Sequence, residues 1–376
     1  MRRGSDGEMK RIVTLAGILS PFVLALIVQA CATSSETTRP DVGSPSVVPD
    51  LDSGVGGPGD TGDADRPTLP CAAGNLCEVQ VPLSFGYVTA IRGRSKNDVW
   101  ATGTRGALMH YGGQAWTSVV TDSSETVSSL FLTPDELWMI AGNFVTRRGA
   151  EPGTVRRMQL GTPHTLSGVA VLPNGDAYLA LLRTTKYSPL VPPLVKIVDF
   201  DAQEVEATAW PLIPGVDPEA AAASPEEMMP RASCLVPDHA LWLVGDHAKV
   251  VRYPVTPLGT GEFVSVGSQA NLKAAWGHDE HLWAVGAGGT ILHYDGATWH
   301  AQDSGTSVEL EAVFGFSDRD VWVAGPEGTV LHFDGERWSK IDVGDYHGRL
   351  ETIWGSASDD VWIGGELAMF HWGALP

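Results

Sequence analysis

A chain of 376 residues is long enough for one large all-β domain behind a leader. Its 45 acidic against 25 basic side chains give a formal charge of −20, and removal of residues 1–30 leaves −22. A field of that sign opposes binding of nucleic acid or of an anionic membrane through the domain surface as a whole.

The first element is a leader. Arg2, Arg3, Lys10 and Arg11 precede an apolar run from Ile12 to Ala30, which is interrupted by Pro21 and ends Val28-Gln29-Ala30-Cys31. This order predicts a secretory signal over 1–30. Its end resembles the lipobox of bacterial lipoproteins. The resemblance implies a lipid on Cys31, the membrane as a partner through that anchor, and a place at the cell envelope, on the periplasmic side of the outer membrane or at the cell surface. A transmembrane anchor is the alternative, because about 19 apolar residues suffice to span. Met9-Lys10-Arg11 would make a neater start than Met1.

Residues 31–70 are rich in Ser, Thr, Asp, Gly and Pro and read as a flexible linker, too poor in large apolar residues to fold alone. Their Asp-Gly runs lack calcium-loop spacing. Cys71 and Cys77 flank the start of the next domain and are expected to form a disulfide. Cys234 falls at a buried strand position and is expected to be an inert thiol. No metal or cofactor site is nominated.

From residue 71 to 376 the chain repeats. One aromatic per unit, at Trp100, Trp138, Tyr178, Trp242, Trp283, Trp322 and Trp362, recurs at spacings of 38, 40, 64, 41, 39 and 40 residues. Units of this size suit four short strands, as in a propeller blade. In the clearest unit, Leu310–Phe314, Asp320–Ala324 and Thr329–Phe333 read as strands one to three, and Trp338 opens strand four after an Asp334-Gly335 turn. The last unit stops at Pro376, before its own fourth strand. The offset between units places the missing strand at Leu76 or Cys77. The expectation is an all-β, closed propeller of seven four-stranded blades whose last blade is completed by the N-terminal strand.

Candidate sites are fewer. Arg147, Arg148, Arg156 and Arg157 form a basic cluster on a hairpin of the second blade, read as a solvated edge or as a docking spot for an acidic partner or a sugar. The tryptophan ring reads as packing. His110, His293, His332 and His371 share one position in strand three and read as a repeated structural hydrogen bond rather than as metal ligands. The long third spacing comes from Tyr187, Pro189 and Pro192 between strands two and three, and from Pro218, Glu219, Glu226 and Arg231 before the fourth blade. Both connections belong to one face of a propeller, and functional residues concentrate on such loops.

The pattern Asp320-Val-Trp-Val-Ala-Gly, Thr329-Val-Leu-His-Phe-Asp-Gly and Trp338 resembles the Trp-rich propeller repeats of predicted lipoproteins in myxobacteria and related bacteria, and distantly the Asp-box repeats of sialidases. Photosystem-assembly propellers share the general plan. The likeness implies the fold and extracytoplasmic binding. The expected function is a non-catalytic scaffold recognising a protein or carbohydrate. An envelope glycosidase of sialidase-like type and a structural member of a surface complex are the alternatives.

Overall fold

The computed structural model describes residues 30–33, 74–81, 86–121, 124–149, 154–160, 164–171, 175–183, 194–207, 230–236, 240–254 and 261–375. Two strands precede the repeats, β1 (Ala30–Thr33) and β2 (Leu76–Glu78). Blade 1 is β3 (Val88–Ser95), β4 (Asp98–Gly103), β5 (Leu108–Tyr111) and β6 (Trp116–Ser118). Blade 2 is β7 (Ser129–Leu132), β8 (Glu136–Ala141), β9 (Phe144–Gly149) and β10 (Val155–Gln159). Blade 3 is β11 (His164–Val171), β12 (Ala177–Arg183), β13 (Leu194–Asp199) and β14 (Glu204–Ala207). Blade 4 is β15 (Pro230–Val236), β16 (Ala240–Gly245), β17 (Val250–Pro254) and β18 (Glu262–Val264). Blade 5 is β19 (Leu272–His278), β20 (His281–Gly286), β21 (Thr290–Tyr294) and β22 (Trp299–Gln302). Blade 6 is β23 (Ala312–Ser317), β24 (Asp320–Gly325), β25 (Thr329–Phe333) and β26 (Trp338–Lys340). Blade 7 is β27 (Leu350–Ala357), β28 (Asp360–Gly365) and β29 (Met369–Trp372), and β2 supplies its outermost strand.

The fold is therefore the seven-bladed, four-stranded propeller expected, closed by the strand at Leu76. Leu76, Cys77 and Glu78 pair with Trp372, His371 and Phe370. This leaves β29 no open edge of the kind that templates association. On the inner side the Ile91 amide donates to Thr352 Oγ1 at 3.0 Å, and Tyr87 bridges to Glu366, so the same seam is bonded at both radii.

Blades 5, 6, 7 and 1 seal to one another through one aromatic and one glycine, and at the seam of blades 4 and 5 Val236 takes the place of the ring against Gly277. A Cβ on Gly315 would meet Trp276 Cζ3 at 2.8 Å, and one on Gly355 would meet Phe316 Cζ at 2.6 Å. The glycine that ends strand one in these repeats is there because the neighbouring blade's ring occupies the space. Trp276, Trp283, Trp322 and Trp362 are fully buried, which makes the tryptophan period a packing period.

A polar clasp repeats with the same regularity. Asp98, Asp320 and Asp360 open strand two of their blades and accept from Nε2 of His110, His332 and His371 on strand three, at 2.9, 2.8 and 2.8 Å. The imidazoles lie on the strand-two indoles, with centroids 4.3–4.4 Å apart. Blade 2 uses Glu136 and Arg147, and blade 3 uses Asp176 and Lys196. Burial opposes ionisation of Asp98, yet hydrogen bonds from Arg94, His110 and Trp100 outweigh it and hold its pKa below the usual carboxylate value. In blades 1, 6 and 7 the shared histidine position makes a structural hydrogen bond, whereas His293 of blade 5 faces His281.

One expectation is corrected. Cys234 is fully buried but is no free thiol: it is disulfide-bonded. β1 runs antiparallel along the inner edge of β15, and the backbone register sets Cys31 opposite Cys234. Strand-one alignment shows burial, and burial alone does not separate a thiol from a half-cystine.

Candidate functional site

Strand direction defines two faces. Strand one of each blade starts at the upper face, so the connections between blades and the turns from strand two to strand three lie there. The hairpins joining strand one to strand two lie below.

Around the upper mouth of the channel, residues near the start of one strand one reach the start of the next. Thr89 Oγ1 donates to the Val127 carbonyl, Lys273 Nζ pairs with Glu309 at 3.1 Å, and Arg349 Nη1 pairs with Glu311. Arg349 Nε also stands 4.0 Å from Glu351, which is buried in β27. In blade 4, Arg231 donates to both oxygens of Asp246 at 3.0 and 2.8 Å.

Each basic side chain named on this rim has an acidic partner, Arg231 with Asp246, Lys273 with Glu309, and Arg349 with both Glu311 and Glu351, so carboxyls outnumber bases only where blades 6 and 7 meet. The Glu311 side chain is 10% exposed, and its Oε2 is buried without a hydrogen-bond partner among the described residues. Burial pushes its pKa up to about 7 against the opposing pull of Arg349, with Glu351 adding to the rise. A carboxyl in this state holds a proton near neutrality or accepts a cationic group brought to it. Sequence reasoning missed Glu311, Arg349 and Glu351, because their pairing joins blades 38 residues apart and shows in no local motif.

The basic cluster is split rather than gathered. Arg147 donates to Glu136 at 2.7 Å and faces the Trp138 ring at 5.4 Å. Arg156, opposite it in register, donates to Asp201 at 2.5 Å. Arg157 lies 3.6 Å over the Phe144 ring and, with Arg148, occupies the other face of the hairpin. Tyr187, Pro189, Pro192, Pro218, Glu219, Glu226 and Cys71 lie outside the described residues; Cys77 is disulfide-bonded. No helix among the described residues is long and apolar enough to cross a membrane.

No protein-family model matches the chain, and no curated protein matches it in sequence. Solved structures do match in fold. YCF48 bound to D1 peptide superposes with a TM-score of 0.61 at 17% identity, over 81% of this chain and 100% of that one. The extracellular domain of the hybrid two-component system BT3049 from B. thetaiotaomicron gives 0.59 at 12% identity, over 82% of this chain and 42% of its own. The propeller domain of Cps50 (Swd1) from Myceliophteria thermophila gives 0.61 at 13%, over 79% of this chain and 99% of its own. At these identities the likeness defines a class, the β-propellers, and goes no further.

Proposed function

We propose that this propeller is a non-catalytic scaffold that binds protein through its upper face, tethered at the cell envelope by lipid on Cys31. The observation that carries the reading is the upper mouth. It presents a set of ion pairs and, in Glu311, a buried carboxyl with one oxygen that has no hydrogen-bond partner among the described residues, on the face where the long connections 184–193 and 208–229 begin and end. A similar propeller bound to a peptide, and others that are extracellular domains, support it. A carbohydrate is the alternative ligand.

The test is affinity capture from envelope extract with the intact chain beside one shortened across 208–229. Specific capture that is lost on shortening supports the reading. Equal capture by both places binding elsewhere. The tether has its own test, because a lipidated Cys31 has no sulfur left for a disulfide. The mass of the N-terminal peptide shows which fate it has.

A hydrolase is the second reading, favoured by the Glu311 pKa near 7, which suits an acid–base carboxyl. Turnover of envelope glycans that is abolished in Glu311→Gln would establish it.

A further inference from the structure

Blades 1, 2, 3, 6 and 7 carry the polar clasp at one position, blade 4 has Ala240 where the acid would stand, and in blade 5 the residues at this place have changed together. Directly opposed residues of an antiparallel pair share a face, and so do residues two apart on one strand. Two opposed pairs therefore make a diagonal row on one face, in which the strand-two tryptophan, and not the strand-two acid, stands directly opposite the strand-three histidine. In blade 1, Ser95 opposes Asp98 and His110 opposes Thr117. In blade 6, Ser317 opposes Asp320 and His332 opposes Ser339. In blade 7, Ala357 opposes Asp360 and His371 opposes Cys77. In blade 5, His278 opposes His281 and His293 opposes His300.

Four imidazoles thus replace the Ser-Asp-His-Thr type of row, and the acid that pairs with the strand-three base in blades 1, 2, 3, 6 and 7 is gone. Its place is taken by His281, whose Nδ1 lies 3.0 Å from His293 Nε2. Without that carboxylate the two imidazoles either share one N–H···N hydrogen bond or, both neutral and turned lone pair inward, offer two nitrogens to a bound divalent cation. Two nitrogens each about 2.1 Å from one metal stand roughly 3.0–3.4 Å apart, for angles from a right angle to tetrahedral. The flanking histidines are exposed enough to move: the His300 side chain is 51% exposed and turned to Asp295 at 2.9 Å, and that of His278 is 39% exposed and beside Asp279 at 3.3 Å.

We propose that the histidine row of blade 5 is a site for a late first-row divalent metal ion of the zinc, copper or nickel class. His281 and His293 form its core and His300 swings from Asp295 to join them. Imidazole nitrogen is the donor these ions favour. No three of the candidate groups converge on one point as they stand, so binding and the turn of His300 occur together. The inference does not depend on the partner-binding reading, because the row lies at the lower end of blade 5, away from the upper mouth.

The experiment uses the full chain, stripped by a chelator and titrated with zinc chloride alone against a competing indicator near neutral pH. Expected is one zinc per chain, with affinity lowered by roughly tenfold or more in the double variant His281→Asp/His300→Thr. That variant restores the strand-two acid and the strand-four threonine found in blade 1, so its fold is protected by the repeat itself. Replacement of His247 and His347, which lie outside the row, leaves affinity unchanged. On the unaltered chain, imidazole NMR signals of the blade 5 histidines shift on adding zinc and those of other blades do not. Equal affinity in the restored-row variant, loss on replacing the outside histidines, or shifts spread over all histidines overturns the proposal.

Discussion

The indole of Trp354 occupies the space where a side chain on residue 93 would stand: a Cβ on Gly93 would lie 2.7 Å from Trp354 Cζ2. This contact joins the last blade to the first and repeats, across the closing seam, the glycine–ring contact between other blades. Gly93→Ala therefore overpacks the seam and costs about 1–3 kcal/mol, read by chemical denaturation. Trp354→Leu in the same chain returns part of that loss, so the double variant is more stable than the sum of the singles. Strict additivity would remove the steric account.

The outer closure predicts a second loss. Leu76 is 1% exposed in a strand of only three residues. Leu76→Ala costs about 2–5 kcal/mol and leaves the edge of β29 prone to pairing with another copy. Light scattering during unfolding should rise earlier than in the parent. An unchanged denaturation midpoint would show that blade 7 stands without its N-terminal strand.

Glu311 gives a pH dependence. Its pKa is raised from 4.5 to about 7 in the folded chain. The folded state therefore holds the proton more tightly than the unfolded state between those values. Stability contributed by this group is present below about pH 4.5 and is lost as pH rises through 7, by at most about 3 kcal/mol. Glu311→Gln, which cannot ionise, flattens that slope and gains stability relative to the parent above neutrality. A slope unchanged by the substitution assigns the dependence to other groups.

The turn from strand two to strand three places one residue in the left-handed region in several blades. In blade 5 it is Gly288, at φ 66°, whereas blade 7 uses Leu367, at φ 54° and 73% exposed. Leu367→Gly relieves a left-handed cost of about 1–2 kcal/mol against a glycine entropy cost of about 0.5–1. The expected gain is about 0.5–1 kcal/mol in a thermal melt.

The propeller was legible because packing repeats with the chain. One ring per blade at Trp100, Trp283, Trp322 and their equivalents must meet the same neighbours, so it recurs at one spacing. The strand at Leu76 was legible because the last repeat lacked its fourth strand. The shared histidine position was visible, but the row of four in blade 5 was not. His278, His281 and His300 join it only through the register of four strands, and a period counted on tryptophan passes over them. The Glu311–Arg349 pair was hidden for the same reason, since it joins adjacent blades rather than adjacent residues. Cys234 was misjudged because a buried strand position looks the same for a thiol and for a half-cystine.

Amine cross-linking of the full chain to its captured partner tests the central claim most directly, because lysines mark both faces. Lys249 and Lys273 stand at the upper ends of β17 and β19, and Lys96 stands in the lower hairpin between β3 and β4. The account predicts partner cross-links at Lys249 and Lys273 and none at Lys96. Cross-links confined to Lys96 would put the partner on the opposite face and contradict it.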